Sequence, residues 1–264
     1  KEVVVTGVLV GAYGQDGFRA TPGKDMPRAY LHQQPALEVD LAEILRRIAN
    51  VDGIERVRLS SIEPTQVTDS LLDAFATEPK LCPHMHIPLQ SGDTTILNAM
   101  NRPYDQDFYL ERCREAYRRI PHLALTSDIM VGYPGEGERE FESTLHVVRT
   151  VGFARAHIFR YSPRPNTPAA EVKDQVPEEV KEARSKVLAA ACKETQKAFI
   201  QHYLGRTLPV LVEGKTHAET EHIASGNDEH TPVAGNPEGT MGLLGGYTSN
   251  YIRVQFTGGS HLIG

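Results

Sequence analysis

The stretch LALTSDIMVGYPGEGEREFESTLHVV, from Leu123 to Val148, contains one complete strand–turn–helix unit. Its first part, Leu123 to Val131, is a strand-like run that Asp128 interrupts. After the turn GYPGE, Phe141, Leu145 and Val148 recur at the spacing of a helix with one apolar face. The turn carries no Lys, so it is not interpreted as a phosphate-binding loop. The unit predicts an α/β fold.

The same alternation of strand and helix runs through most of the chain. Further strands are predicted at Glu2 to Val8, Arg56 to Leu59, His84 to Leu89 and Arg155 to Phe159. Apolar residues at helical spacing lie between them, at Leu37 to Ile48, Thr68 to Phe75 and Asp105 to Ile120. Five parallel strands with crossover helices fit either a βα barrel, whole or incomplete, or a doubly wound sheet, and the pattern leaves both open.

The last part of the chain has a different pattern. A helix rich in Ala, Lys and Glu is predicted from Pro177 to Tyr203, with Gly205 just past its end, and it is interpreted as a connector. Strand candidates without a further helix follow in TLPVLVEG, TMGLLGG and YIRVQFTG. We therefore predict a domain at residues 1–202 and an all-β module at residues 203–264. The module is expected to close into a small barrel, because closure hides strand edges.

Composition excludes several classes of protein. With 40% hydrophobic and 23% charged residues, the 264-residue chain is typical of globular proteins. It has neither an apolar stretch of about 20 residues nor a secretory leader, so we expect a cytoplasmic protein without a membrane partner. The net charge of −6 means that any nucleic acid would be held by local basic patches. The spacing of Cys82, Cys113 and Cys192 matches no zinc or iron–sulfur motif, so no metal site is predicted.

Small and polar residues follow the predicted strands where they end, and they are the candidate binding residues. The carboxyl ends of parallel strands meet at one face, where α/β proteins build their sites. Glu63 can accept from an amine or a ribose hydroxyl, and Arg164 can pair with a carboxylate or phosphate. Gly7, Ser91 and Gly92 are small enough for a ligand to approach the backbone. The candidate set is Thr6, Gly7, Ser60, Ser61, Glu63, Gln90, Asp128, Tyr161, Ser162 and Arg164.

The alternative explanation of this set is structural, because Gly, Ser and Pro also end strands. No Ser-His-Asp order, Walker loop or carboxylate pair accompanies it, so no catalytic residue is assigned. Cys82, His84 and His86 alternate and would share one face of a strand, but no fourth metal ligand is evident. The arginine-rich helix after Asp105 is either a solvated face or a surface for an anionic partner.

The C-terminal module carries little positive charge. From Tyr203 onward it has three Lys or Arg against six Asp or Glu. This balance argues against a strong electrostatic interaction with phosphates. Its aromatic rings either stack on bases or form the barrel core, and they are Tyr247, Tyr251 and Phe256.

Ordered motifs resemble the radical S-adenosylmethionine methylthiotransferase family. They are VVVTGV…GAYG at 3–14, RVRLSSIEP at 56–64, HIPLQSG…ILNAMNRPY at 86–104, TSDIMVGYPGEGEREFESTL at 126–145 and FRYSPRPNTPAA at 159–170. GYTSNYIRV at 246–254 resembles the end of the family's RNA-binding β-barrel, the TRAM domain. The opening and closing motifs most resemble the branch that methylthiolates C2 of N6-threonylcarbamoyladenosine at position 37 of tRNA. Sister branches act on isopentenyladenosine at that position or on a ribosomal-protein aspartate.

The resemblance implies a radical-SAM βα barrel between an N-terminal domain and TRAM. It also implies S-adenosylmethionine as cofactor and the anticodon loop of tRNA, not DNA, as partner. Carried over motif by motif, the resemblance puts Thr6 and Gly7 beside the methionine amino group of the cofactor. It puts Ser60, Ser61 and Glu63 along the ribose or methionyl part, with Gln90 and Asp128 facing the pocket. It puts Tyr161, Ser162 and Arg164 near the adenine or the substrate base.

The family uses two 4Fe–4S clusters, each held by three cysteines. One cleaves S-adenosylmethionine to a 5′-deoxyadenosyl radical, and the other delivers sulfur. The sequence has no C-x3-C-x2-C loop after its first strand. We therefore expect a fragment that lacks the N-terminal domain, the first barrel strand and the cluster loop, and that is inactive alone with its sulfur donor unassigned. The alternative from another class is a cluster-free module that binds a nucleoside or RNA.

Overall fold

A computed structural model describes residues 1–14, 39–216 and 241–264 of the chain. These residues form two compact units, Lys1–Gly205 and Arg206–Gly264. Leu37, which the sequence places in the first helix, lies outside the described residues. Over the described ranges, no helix has the length and apolar character needed to cross a membrane.

The described residues of the first unit form five parallel strands, in one sheet of two strands and one of three. They are β1 (Glu2–Val5), β2 (Arg56–Leu59), β3 (His84–His86), β4 (Ala124–Val131) and β5 (Arg155–Arg160). β1 pairs with β2, and β3, β4 and β5 pair in that order. Two isolated parallel bridges, Val57–Leu81 and Ser61–His86, join the two groups. The strands therefore follow chain order without the reversal of a doubly wound sheet, and this is the order of a βα barrel wall.

Helices lie between and after these strands. They are α1 (Leu41–Ala49), α2 (Asp69–Thr77), α3 (Thr94–Ala99), α4 (Gln106–Arg119), α5 (Glu138–Val151), α6 (Pro168–Glu171) and α7 (Glu178–Gln201). The side chains of Asp40, Thr68 and Asp105 cap α1, α2 and α4 by accepting from the amide of the third helical residue. α3 and α6 were not predicted, because they are too short to show a helical period.

The two faces of the sheet differ in polarity, because successive side chains of a strand point to opposite sides. Leu59, Leu125 and Ile129 are buried in one apolar core with the helices. The predicted apolar face of α5 reaches the same core through Phe141, Leu145 and Val148. The opposite face, called the inner face here, carries polar side chains that contact one another, namely Glu2, Arg58, His84, His86, Thr126 and Asp128.

α7 is more than the predicted connector, because it packs against β5 and α5. Its apolar side contributes Leu188, Ala191 and Cys192 to the core of the first unit. Arg184 Nη1 donates to the Glu136 carboxylate over 2.9 Å, and both side chains are largely buried. Buried charges of this kind need a partner, so the pair fixes the position of the helix against the loop between β4 and α5.

The described residues of the second unit form three antiparallel strands in the order β6 (Val210–Lys215), β7 (Met241–Thr248) and β8 (Arg253–Gly259). The register between β6 and β7 shifts between Val212 and Gly214. Closure into a barrel is not seen among the described residues and stays a prediction. The rings of Tyr247 and Tyr251 stack on each other with centroids 4.8 Å apart, and both are half-buried.

Candidate functional site

The carboxyl ends of the five strands bring several candidate residues next to one another. The amide of Ser60 donates to the carbonyl of Val5 over 3.0 Å, so the ends of β1 and β2 adjoin. Ser61 bridges to His86 at the end of β3. The amide of Gln90 donates to the carbonyl of Asp128 over 2.9 Å. The polar residues after β1, β2 and β3 and the middle of β4 therefore lie along one edge.

A chain of four side chains crosses the inner face between β3 and β4. His84 Nε2 and His86 Nδ1 each lie 3.0 Å from Thr126 Oγ1. His86 Nε2 lies 3.4 Å from Asp128 Oδ2. We call His84, Thr126, His86 and Asp128 the inner-face relay. It runs from buried His84 to the Asp128 carboxylate, whose side chain is 30% exposed.

A buried ion pair lies deeper on the same face. Arg58 Nε donates to the Glu2 carboxylate over 2.9 Å, and both side chains are largely buried. Burial, with smaller effects from Arg58 and His86, lowers the pKa of His84 to about 3. His84 is therefore a neutral imidazole over the whole physiological pH range.

Glu63 is held at the rim of the site by an arginine from another loop. Arg102 Nη1 donates to Glu63 Oε1 over 3.3 Å, and each side chain is about one-third exposed. Nε of Arg102 is buried and has no hydrogen-bond partner among the described residues. The pair offers a carboxylate and a guanidinium side by side, which suits a ligand that carries both an ammonium and a carboxylate group.

The three candidate binding residues that follow β5 differ in their exposure to solvent. Tyr161 is buried, with its ring edge-on to Tyr133 at 5.3 Å and with Lys181 Nζ 5.5 Å from its ring centroid. Its hydroxyl has no hydrogen-bond partner among the described residues. Ser162 and Arg164, by contrast, are exposed. The structure therefore does not bring these two into the hydrogen-bonded edge that the other strands share.

The small residues that follow β1 and those that follow β3 have different surroundings. Thr6 and Gly7 are exposed just after β1, and the expectation that a ligand approaches the backbone at Gly7 stays a prediction. Gly92 is instead needed for helix packing, because a Cβ there would lie 2.5 Å from Cα of Thr144. Its amide also donates to the Thr144 hydroxyl over 3.0 Å, and Ser91 is fully buried. The expectation that a ligand approaches the backbone at Ser91 and Gly92 is therefore wrong.

Three arginines of α4 form ion pairs within the protein. Arg112 is buried and pairs with Asp69 over 3.1 Å, while Arg119 pairs with Asp73 over 3.0 Å. Arg118 donates to Glu115, and this interaction lowers the pKa of Glu115 to about 2. The sequence left open a solvated face or a surface for an anionic partner, and the structure instead shows these three arginines in ion pairs within the protein.

The three cysteines do not fit an iron–sulfur cluster. Cys82, Cys113 and Cys192 are each buried in different parts of the first unit. Burial raises the pKa of Cys113 to about 12 and those of Cys82 and Cys192 to about 11, so the thiolate form that a cluster needs is disfavoured. Within the described ranges, no group of three or more His, Cys, Asp or Glu side chains could hold a metal ion.

Sequence reasoning missed three residues of this site. His86 contacts the candidate residue Asp128, Thr126 contacts His86, and Arg102 pairs with a candidate carboxylate. The alternation in HMH indicated that both histidines share a face, but their common partner is on another strand. Arg102 stands within the motif MNRPY, whose loop meets the end of β2 only in the folded chain.

Known proteins similar to this chain point to one group of enzymes. A family model described as the radical SAM superfamily matches residues 30–148. A tRNA-2-methylthio-N(6)-dimethylallyladenosine synthase of Desulfitobacterium hafniense (strain Y51) is 35% identical over 264 residues, which are 100% of this chain and 50% of that protein. The threonylcarbamoyladenosine tRNA methylthiotransferase MtaB of Bacillus subtilis (strain 168) has the same identity and the same coverage of both chains.

The chain spans about half the length of these curated relatives. A solved structure with a weaker likeness is coproporphyrinogen III oxidase from Escherichia coli, which is described as a radical SAM enzyme. It aligns with a TM-score of 0.45 and 17% identity, over 64% of this chain and 38% of that chain.

Proposed function

We propose that this chain, which belongs to the radical S-adenosylmethionine methylthiotransferase family, is part of a cytoplasmic enzyme that adds a methylthio group to C2 of N6-threonylcarbamoyladenosine at position 37 of tRNA. The observation that carries the proposal is the 35% identity over all 264 residues to the Bacillus subtilis tRNA methylthiotransferase. The dimethylallyladenosine synthase is equally similar, so isopentenyladenosine-37 is the second candidate substrate.

In this proposal the five parallel strands are part of a radical-SAM barrel, and the second unit is a TRAM domain that contacts the anticodon loop. The sequential strand order supports the first assignment. The antiparallel sheet and the stacked tyrosines support the second, because aromatic rings offer platforms for bases.

The donor set of the site fits S-adenosylmethionine. Glu63 and Asp128 offer carboxylates to an ammonium group or ribose hydroxyls, and Arg102 offers a guanidinium to the carboxylate of the cofactor. Tyr161 offers a buried hydroxyl without a partner among the described residues. When bound with a cluster, the cofactor would supply the radical. The buried cysteines of this chain do not fit such a cluster.

Binding of the cofactor is tested with S-adenosylhomocysteine, which has the same amino acid and nucleoside groups, by isothermal titration calorimetry on the 264-residue chain. We expect Glu63→Gln to raise Kd about 10-fold or more, because a hydrogen bond to a charged group contributes about 1.5–3 kcal/mol. The matched control is Glu142→Gln, at an exposed position of α5, which should leave Kd unchanged. Equal Kd values for the two variants would contradict the assignment of Glu63.

The reaction is tested by nucleoside mass spectrometry. The longer protein that contains this chain is produced in a strain whose tRNA lacks methylthio groups. We expect 2-methylthio-N6-threonylcarbamoyladenosine to appear in the tRNA. Appearance of only the methylthio derivative of isopentenyladenosine would assign the sister substrate, and absence of both would refute the proposed function.

A further inference from the structure

We propose that the inner face of strand β5 binds the substrate nucleoside, with Phe159 stacking on the adenine base and Arg155 pairing with the carboxylate of its threonylcarbamoyl group. The inference rests on the proposed function. It names the two residues that would recognise threonylcarbamoyladenosine and reject isopentenyladenosine.

The side chains of β5 alternate between the core and the inner face. Ala156 and Ile158 pack against the core of the first unit, so the residues between and beside them point to the opposite side. That side also carries Asp128 of the inner-face relay, which is the register partner of His157. The inner face of β5 therefore consists of Arg155, His157 and Phe159.

Arg155 carries a charge that the described part of the inner face does not pair. Its side chain is half-buried, and no hydrogen bond or ion pair of its guanidinium group is found among the described residues. The carboxylate of Glu2 already pairs with Arg58 over 2.9 Å, and that of Asp128 lies 3.4 Å from His86. A guanidinium binds a carboxylate well, because two parallel N–H groups donate to its two oxygens. We therefore expect an anionic group of a ligand at Arg155.

Phe159 is an aromatic side chain that the fold leaves in contact with solvent. Its exposed fraction is 50%, and it lies one residue before the carboxyl end of β5. Its register partner on β4 is Met130, which is half-buried. An exposed aromatic ring offers a surface on which a base stacks. The ring therefore lies close to the edge at which the candidate binding residues meet.

The separation of the two side chains suits this nucleoside. Four residues of an extended strand span about 13 Å, so Arg155 lies well below the rim at which Phe159 stands. The threonylcarbamoyl group extends from N6 of the base through several bonds and ends in a carboxylate. Together with the long arginine side chain, this group can bridge a distance of that order. The dimethylallyl group of isopentenyladenosine is apolar, so it would remove water from the guanidinium without pairing with it.

Binding of free nucleosides to the 264-residue chain tests the assignment of Arg155. Isothermal titration calorimetry gives Kd for N6-threonylcarbamoyladenosine, for its methyl ester and for adenosine. We expect the wild type to bind the carboxylate form about 10-fold more tightly than the ester. Arg155→Met should abolish this difference, and Arg155→Lys, which keeps the charge, should retain part of it. The matched control is Arg149→Met, at an exposed position of α5, which should retain all of it.

The same measurement tests Phe159 with a different expected pattern. Phe159→Leu should weaken the binding of all three nucleosides by a similar factor, because each presents the same base, and Phe159→Tyr should retain it. Equal affinities of the wild type for the acid and the ester, or a preference that persists in Arg155→Met, would overturn the assignment of Arg155. Unchanged affinities in Phe159→Leu would overturn that of Phe159. Absence of binding by every nucleoside would overturn both.

A kinetic measurement on the longer protein separates this inference from the proposed function. For tRNA that carries threonylcarbamoyladenosine, we expect Arg155→Met to raise KM about 10-fold with a smaller change in kcat. A wild type that adds the methylthio group while Arg155→Met keeps the same KM would refute the inference and not the proposed function. A wild type that forms no methylthio product would refute the proposed function, and the nucleoside affinities alone would then decide the inference.

Discussion

Single residues of the first unit combine local strain with long-range hydrogen bonds. Gln90 has φ of 63°, a left-handed conformation that side chains other than Gly rarely adopt. Its amide donates to the carbonyl of Asp128, and its carbonyl accepts from the amide of Met130. Strain of this kind persists where surrounding bonds over-determine the backbone, and it concentrates at functional sites. We therefore expect the bend after β3 to help to position the candidate site.

Gly92, two residues further on, gives a prediction about packing. We expect Gly92→Ala to lower the free energy of unfolding by about 2 kcal/mol, because the new Cβ would meet the backbone of α5 at Thr144. Urea denaturation followed by circular dichroism measures the change. The matched control is Gly242→Ala, where nothing lies within 4 Å of an added Cβ. A stability loss no larger than that of the control would show that α5 can move away at little cost.

At the scale of elements, the loop between β4 and α5 is held by one carboxylate. Glu136 accepts from the amide of Gly132 over 2.9 Å and from Arg184 of α7. Burial raises the pKa of Glu136 above its ordinary value, although the hydrogen bond from Gly132 and the charge of Arg184 oppose this effect. This buried ion pair therefore connects the loop between β4 and α5 to α7.

Removal of the Arg184 cation should make the free energy of unfolding depend more strongly on pH. We expect Arg184→Met to lower the free energy of unfolding by about 3–5 kcal/mol near pH 8, because a buried carboxylate loses its partner. The pKa of Glu136 then rises further. A carboxyl group whose pKa is raised on folding stabilises the fold fully below its unfolded pKa, and this stability is lost as pH rises through the folded pKa. The deficit should therefore be smaller near pH 5.

The double variant Glu136→Gln with Arg184→Met is the control for this experiment. It lacks the buried carboxyl group, so its free energy of unfolding should change less between pH 5 and pH 8 than that of Arg184→Met. Urea denaturation at the two pH values measures both variants. A deficit for Arg184→Met that does not grow between pH 5 and pH 8 would mean that water or another cation reaches Glu136.

At the scale of the whole molecule, the described residues form two units with different kinds of sheet. The first is α/β with parallel strands, and its core extends into α7 through Leu188. The second is an antiparallel sheet that follows Gly205. Because the core of the first unit includes α7 and, among the described residues, none beyond Gly205, we expect its stability not to depend on the second unit.

A truncation after Gly205 tests this independence. We expect the fragment of residues 1–205 to unfold in one cooperative transition, with a midpoint close to the corresponding transition of the whole chain. A matched fragment that ends at residue 180 removes Arg184 and Leu188 and should not fold cooperatively. Circular dichroism during urea denaturation distinguishes the two. Non-cooperative unfolding of the 1–205 fragment would show that the first unit needs the second.

The sequence by itself determined the elements, because apolar periodicity and caps act over a few neighbouring residues. It predicted all five parallel strands, the helices with a clear apolar face and the placement of polar residues after the strands. It could not choose between a barrel wall and a doubly wound sheet, since strand order depends on pairing between distant segments. Only the tertiary structure shows that Gly92 packs against α5 and that Arg102 pairs with Glu63. It also shows that Thr126 connects His84 with His86. Those contacts link residues that lie far apart in the chain, and no local pattern records which distant side chain will complete a hydrogen bond.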